Sequence, residues 1–189
     1  MMIKTTCFIL ITTIIGIFIY NDESQILWRK GIKLTWEDFR QAPPTDIIDK
    51  NAMSGILVDY NYQVIEGKVP TFTLRTYFMK DSSWVVSKSD RTLNHEKLHF
   101  DMAELYTRKM RKEIQRLRQE GIKEIEPYIE IIHRYRDENL DADELFDRQC
   151  FGLTVNGQVI ERAHEHRQEE WIDSIAIELD KLKEYELKQ

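Results

Sequence analysis

The feature that most constrains this chain is a change of hydrophobic period near residue 89. Before it, apolar side chains alternate with a period of two in residues 52–65 and 70–79, which is the pattern of half-buried strands. Glu66-Gly67-Lys68 separates these two runs and predicts a hairpin. After residue 89, apolar residues recur every three or four positions, as on one face of a helix. Strands followed by helices predict an α+β fold.

Three long helices are expected in the second part of the chain, at about 89–119, at about 127–149 and from about 159 onward. Gly121 suits the end of the first helix, and Pro127 suits the first position of the second. The segment 152–157 between the last two helices is expected to be a loop, with Asn156-Gly157 as a turn pair.

Smaller elements are expected before the hairpin and after it. Residues 21–30 are interpreted as a spacer, and residues 32–34 as a short strand. Thr35 is a good N-cap for a helical turn at 36–39, with Asp38 at the third position of a capping box. A third short strand is expected at 84–86.

The N-terminal segment differs from the rest of the chain. Lys4 precedes a run from Thr5 to Tyr20 that contains no charged residue, and Asn21-Asp22-Glu23 ends it. This pattern is typical of a secretory signal or an uncleaved signal-anchor. We therefore expect residues 1–22 to contact the membrane, with 4–20 as a possible anchor, and residues 23–189 to form one domain outside the cytoplasm.

Composition narrows the function classes. The 189 residues carry a net charge of -6, which disfavours a nucleic-acid partner because phosphate binding needs clustered Lys and Arg. The chain has two cysteines, and Cys7 in the apolar run lies far from Cys150. A four-cysteine zinc site is therefore excluded, and any metal is expected to be held by His and carboxylate side chains.

The strongest chemical motif is HExxH at residues 95–99. His95 and His99 lie four residues apart on the first predicted helix, so both side chains project from the same face. Two imidazoles so placed can bind one Zn2+, each at about 2.0–2.1 Å. Glu96 is then the expected general base and acid, which takes a proton from water and returns it to a leaving amine.

Four stretches resemble a bacterial family classed as domain of unknown function 922, whose members are predicted secreted zinc-dependent proteases. The similar stretches are Leu34-Thr35-Trp36-Glu37-Asp38-Phe39 with Pro43-Pro44, HEKLHFD at 95–101, Phe146-Asp147, and Gln168-Glu169-Glu170-Trp171. The resemblance covers most of residues 32–175 and implies a zincin-like domain. The chain departs from the family at Cys150-Phe151-Gly152, where a Thr-x-His-Gly often stands.

A catalytic zinc needs a third protein ligand. Residue 105 is Leu, so the metzincin pattern with a third His at that position is excluded. Asp147 is the first choice, since it lies on the next predicted helix and matches the family's acidic pair. The alternatives that stay open are Asp143, Glu144, His164 and His166.

The sequence thus predicts a zinc-dependent peptidase that acts on a peptide or protein substrate, with zinc held by His95, His99 and Asp147 and with Glu96 as catalytic residue. The rivals are a non-catalytic exported binding or scaffold domain with the same fold, and a metal-free structural domain. Two further expectations concern supporting parts. Asp101 either supports a ligand histidine or is a surface charge, and strand 70–79 either offers an edge for a peptide or is an ordinary hairpin strand.

Overall fold

The computed structural model describes residues 23–45, 50–155, 158–164 and 166–188. The helices are α1 (Asp90–Gln119), α2 (Glu126–Phe151) and α3 (Arg167–Lys181). The strands are β1 (Gln25–Leu27), β2 (Ala52–Met53), β3 (Ile56–Gln63), β4 (Thr71–Met79), β5 (Trp84–Val85), β6 (Leu153–Val155) and β7 (Gln158–Glu161). Single 3-10 turns lie at Trp36–Asp38, Lys80–Ser82 and Lys183–Tyr185. The small antiparallel sheet and the three helices confirm the α+β class.

The predicted hairpin is present as β3 and β4. The two strands pair antiparallel from Ile56 opposite Phe78 to Gln63 opposite Thr71, and Gly67 takes a positive φ of 74° in the connection. The other side of β4 pairs with β1, so the order is β1-β4-β3. Of the two alternatives for strand 70–79, the ordinary hairpin strand holds at Tyr77–Met79, where β1 covers the second side of β4.

Two expectations for the N-terminal part are wrong. The described part of the supposed spacer contains β1, while residues 32–34 form no strand. The backbone N–H of Trp28 bonds to Thr76 O at 2.9 Å, and the Trp28 side chain is buried. The three residues of β1 are too few to show a hydrophobic period in the sequence. The strand forms because it pairs with β4 and because the neighbouring Trp28 is buried.

The predicted strand near residue 84 exists, but it does not extend the hairpin. β5 pairs with β2, with Ala52 opposite Val85 and Met53 opposite Trp84. The predicted run 52–65 is therefore divided into β2 and β3. At Ser54 and Gly55, between these strands, the chain passes from the two-stranded sheet to the three-stranded sheet.

Capping residues and proline in the sequence predict where α1 and α2 begin, but the predicted start of α3 is wrong. Ser89 caps α1, because its Oγ accepts from the backbone N–H of Thr92 at 3.0 Å. Pro127 lies in the first turn of α2, as predicted. The last helix begins at Arg167 and not near Val159, because the segment around 153–161 forms the β6–β7 hairpin instead. β-branched residues in that stretch favour extended backbone; the predicted turn pair at 156–157 lies outside the described residues.

Helix α1 is the centre of the packing. Leu74 of β4, Met110 and Ile114 of α1, and Tyr128 and Ile132 of α2 belong to one buried cluster. A second cluster joins α1 to α2 and α3 through the buried side chains of Leu98, Met102, Leu105, Phe146, Cys150 and Ile175. α1 is thus held by the sheet on one side and by the other helices on the other. Within the described ranges, no helix combines the length and apolar character needed to cross a bilayer.

Trp36 and Trp171 are packing residues. The Trp36 ring lies 5.0 Å from the Phe39 ring, and both belong to the cluster that covers the N-terminal end of the sheet. Trp171 of α3 packs at 5.6 Å from Phe146 and donates from Nε1 to Gln149 Oε1 at 2.9 Å. Gln168 is buried and donates to Arg91 O at 3.0 Å. This pair of residues therefore ties α3 to α1 and α2.

Candidate metal centre

One turn of α1 places both motif histidines beside α2. His95 Nε2 and His99 Nε2 lie 3.2 Å apart, as the spacing of four residues allows. His95 is 3% exposed, because Phe146 stacks on its ring at 4.3 Å and Phe151 lies at 4.5 Å. The rings are therefore held in place by packing from α2.

Asp147 of α2 completes a triangle of donor atoms. Its Oδ1 lies 2.9 Å from His95 Nε2 and 3.2 Å from His99 Nε2. Three ligands of a tetrahedral zinc with bonds of about 2.0 Å lie about 3.3 Å from one another. The triangle is close to that size, so these three side chains could hold a metal ion with little movement.

Asp143 has a different place. Its Oδ1 lies 2.8 Å from His99 Nδ1, and its Oδ2 accepts from Asn139 Nδ2 at 3.1 Å. An ionised carboxylate can only accept, so Nδ1 of His99 carries a proton and its Nε2 can face a metal as a lone pair. Asp143 thus contacts the far side of the ring, where a carboxylate orients a ligand histidine.

The electrostatics of the centre favour positive charge. Burial alone would lower the pKa of His99, but hydrogen bonds to Asp143 and Asp147 raise it to about 10. Burial would raise the pKa of Asp147, whereas hydrogen bonds to His95 and His99 hold it well below its usual range. A divalent cation in the triangle would take the place of the proton between the Nε2 atoms and Asp147, while Asp143 would keep its hydrogen bond to Nδ1 of His99.

Glu96 lies next to the triangle and outside it. The residue is 5% exposed, and Ser54 Oγ donates to its Oε2 at 2.7 Å. Glu96 lines the same cavity as His95, His99 and Asp147. A buried carboxylate beside a potential metal is placed to exchange protons with water there. Ser54 was missed by the sequence analysis, since a lone serine after a short strand carries no motif.

The remaining predicted residues are elsewhere. Glu144 lines the cavity, but among the described residues it does not belong to the group of converging donor atoms, and neither do His164 and His166. Both of those histidines are exposed. Asp101 accepts from Trp28 Nε1 at 2.8 Å and pairs with Lys97, so it joins α1 to the N-terminal segment. The expectation that Asp101 supports a ligand histidine is wrong.

The centre opens into a cavity of about 1690 Å3. One wall comes from residues 50–58, and the other from α2. Exposed apolar side chains stand on both walls, namely Met53, Leu57, Leu140 and Phe151. The cavity has room for several residues of a peptide.

No family model, no curated protein and no solved structure matches this chain. The resemblance to the domain of unknown function 922 therefore stays a prediction from the quoted motifs. What is known of the site comes from its own geometry.

Proposed function

We propose that this protein is a zinc-dependent peptidase. The observation that carries the proposal is the triangle of His95 Nε2, His99 Nε2 and Asp147 Oδ1, with sides of 2.9, 3.2 and 3.2 Å, beside the carboxylate of Glu96. Two helices supply these groups, and the cavity next to them supplies room for a substrate.

Zinc is the metal that best suits this donor set. Imidazole nitrogens with one carboxylate oxygen are a common zinc triad in hydrolases, and three protein ligands leave the fourth position open. Magnesium and calcium prefer oxygen ligands, so two histidines argue against both. Asp143 supports the choice because it holds His99 in the tautomer that a metal requires.

The chemistry divides between the metal and the chain. A bound zinc polarises a carbonyl and acidifies water at the centre. Glu96 takes the proton of the attacking water and later gives it to the leaving amine. The stacked ring of Phe146 and the carboxylate of Asp143 hold the histidines in place during these steps. Each role belongs to a side chain that lines or supports the cavity.

A peptide or protein is the proposed substrate. Among the described strands, β3 is paired on one side, with β4, and its residues 56–58 line the cavity. Such a strand presents main-chain groups to which an extended peptide can bond. The exposed apolar side chains on the two walls suit apolar residues around the scissile bond.

The site of action is proposed to be outside the cytoplasm. The apolar segment 4–20 is the basis, with cleavage or retention as an anchor as the two outcomes. This segment lies outside the described residues. Sequencing the N-terminus of the mature protein from membrane and soluble fractions tests the proposal.

The test of the function compares wild type with Glu96→Gln. Purified protein should contain one zinc per chain, and wild type should cleave members of a mixed peptide library. Glu96→Gln should keep its zinc and lose cleavage, because the substitution removes the proton carrier and leaves the ligands. Glu113→Gln, on the same helix and away from the centre, is the matched control.

Two results would refute the proposal in different ways. Zinc in the wild type without cleavage of any peptide would favour the non-catalytic binding or scaffold domain. Protein without metal, even after incubation with zinc, would favour the metal-free structural domain.

A further inference from the structure

We propose that Ser54 is a positioning residue that holds the carboxylate of Glu96 in its working orientation. This inference rests on the proposed function. Ser54 Oγ lies 2.7 Å from Glu96 Oε2 and 3.3 Å from the backbone oxygen of the same residue. The hydroxyl has one proton to donate, and the shorter contact to the carboxylate takes it.

The position of Ser54 is set by the two small sheets around it. Ser54 follows β2, whose pairing with β5 holds Ala52 opposite Val85 and Met53 opposite Trp84. On the other side, Gly55 O accepts from Met79 N at 2.8 Å, at the end of β4. Ser54 therefore lies between Met53, which is held by β5, and Gly55, which is held by the end of β4.

Gly55 allows this arrangement because it has no side chain. A Cβ at this position would lie 2.7 Å from Ser82 Cβ and 2.9 Å from Ser82 O. The backbone N–H of Gly55 donates to Ser83 Oγ at 2.8 Å, and the same hydroxyl donates to Met79 O at 2.7 Å. Ser83 is fully buried. The close approach of Gly55 to Ser82 and the two hydrogen bonds of Ser83 together hold the backbone next to Ser54 in place.

The support has a chemical consequence for Glu96. A carboxylate turns easily about its last bond, since that torsion has broad minima. A hydrogen bond to Oε2 from a fixed hydroxyl stops this rotation and reserves Oε1 for the proton of the attacking water. Small displacements of a catalytic group cost as much as about a hundredfold in rate. Ser54 therefore acts through Glu96 and does not touch the reacting atoms.

The kinetic test uses three variants of the zinc-loaded full chain. Ser54→Ala should lower kcat by about ten- to a hundredfold with little change in KM, because orientation and not binding is lost. Ser54→Thr keeps a hydroxyl and should restore most of kcat. Ser82→Ala, in the adjacent turn, should match wild type. Zinc content and thermal unfolding are measured for each variant, so that a fold defect is recognised.

A second readout does not need peptidase activity. Acetohydroxamate ligates a metal and carries an acidic proton that a neighbouring carboxylate can accept. Its affinity for the zinc-loaded protein, measured by calorimetry, should fall about tenfold in Ser54→Ala. Glu96→Gln should lose at least as much, and adding Ser54→Ala to it should cost nothing further, because the serine acts through Glu96.

The outcomes separate the two proposals. A Ser54→Ala variant that equals wild type in kcat or in hydroxamate affinity would overturn the role of Ser54 and leave the peptidase standing. If wild type binds zinc and hydroxamate but cleaves nothing, the peptidase is refuted. The hydroxamate affinities of wild type and the variants would still test the role of Ser54. Covalent labelling of Ser54 by a fluorophosphonate would overturn the positioning role, since it would show a nucleophile.

Discussion

Two aspartates of α2 that lie one turn apart do different work. Asp147 Oδ1 faces both ring nitrogens of the triangle, while Asp143 bonds to the opposite nitrogen of His99. Asp143 and Asp147 share a helix face because they are four residues apart. Their roles differ because His99 lies between them, with one nitrogen toward each carboxylate.

Asp147→Asn should weaken zinc binding by more than about a hundredfold, because it removes the charged ligand and leaves two histidines. Asp143→Asn should weaken it less, by about ten- to a hundredfold, since an amide orients His99 poorly. Zinc affinity measured by competition with a chromophoric chelator checks both values. Glu144→Gln is the control on the same helix, and an effect there equal to that of Asp147→Asn would contradict the assignment.

At the scale of elements, the break between β2 and β3 places Ser54 beside Glu96 of α1. The divided strand lets β2 pair with β5 and β3 pair with β4. Gly55 is the residue that makes the break possible.

Gly55→Ala should destabilise the fold by about 1–3 kcal/mol, because the new Cβ overlaps Ser82 and the turn must shift. Urea unfolding followed by circular dichroism gives the free energy of unfolding. The added methyl should also disturb Glu96 through Ser54, so kcat should fall in the fraction that is folded. Stability and kcat equal to wild type would show that the turn adapts without cost.

For the whole molecule, a buried ionic cluster on α1 joins the sheet to the C-terminal segment. Glu104 Oε1 accepts from Arg108 Nε and from Arg111 Nη1, both at 2.9 Å, and its Oε2 accepts from Thr76 Oγ1 at 2.8 Å. Arg111 Nη1 also donates to Tyr185 O at 2.9 Å. Glu104 and Arg108 are each 2% exposed. Because water cannot stabilise either charge there, each charge is stabilised by the other.

Glu104→Ala should destabilise the protein by about 3–5 kcal/mol, because it removes the buried carboxylate shared by Arg108 and Arg111 and leaves Arg108 with only the partly exposed Glu186 among the described carboxylates. The free energy of unfolding from urea titration is the measurement. Glu120→Ala removes an exposed partner of Arg116 and should cause no measurable change. Similar effects of the two variants would mean that the buried cluster contributes no more than a surface ion pair.

Zinc should stabilise the whole molecule, because its ligands come from both α1 and α2. At free zinc near a hundred times Kd, linkage contributes about 2.7 kcal/mol, which for a chain of this size corresponds to a rise in Tm of about 5–10 °C. Calorimetry with zinc and with a chelator measures the shift. Asp147→Asn should lose most of it, and an equal shift in that variant would point to zinc bound elsewhere.

Some elements of the fold could be predicted from the sequence, and others could not. The hairpin, α1 and α2 follow from local periods, caps and turns, because each repeats its pattern over many residues. β1 has three residues, and the β6–β7 hairpin has strands of three and four, so neither shows a pattern long enough to identify. Both depend on pairing, which local sequence does not reveal.

The sequence by itself determined that His95, Glu96 and His99 share one turn of a helix, because a helix has a fixed period. Only the tertiary structure decided that Asp147 faces both rings while Asp143 binds behind one of them, because this depends on how α2 packs against α1. The contact of Ser54 with Glu96 likewise spans 42 positions in the chain. Contacts across such distances depend on the packing of elements, and no local pattern encodes them.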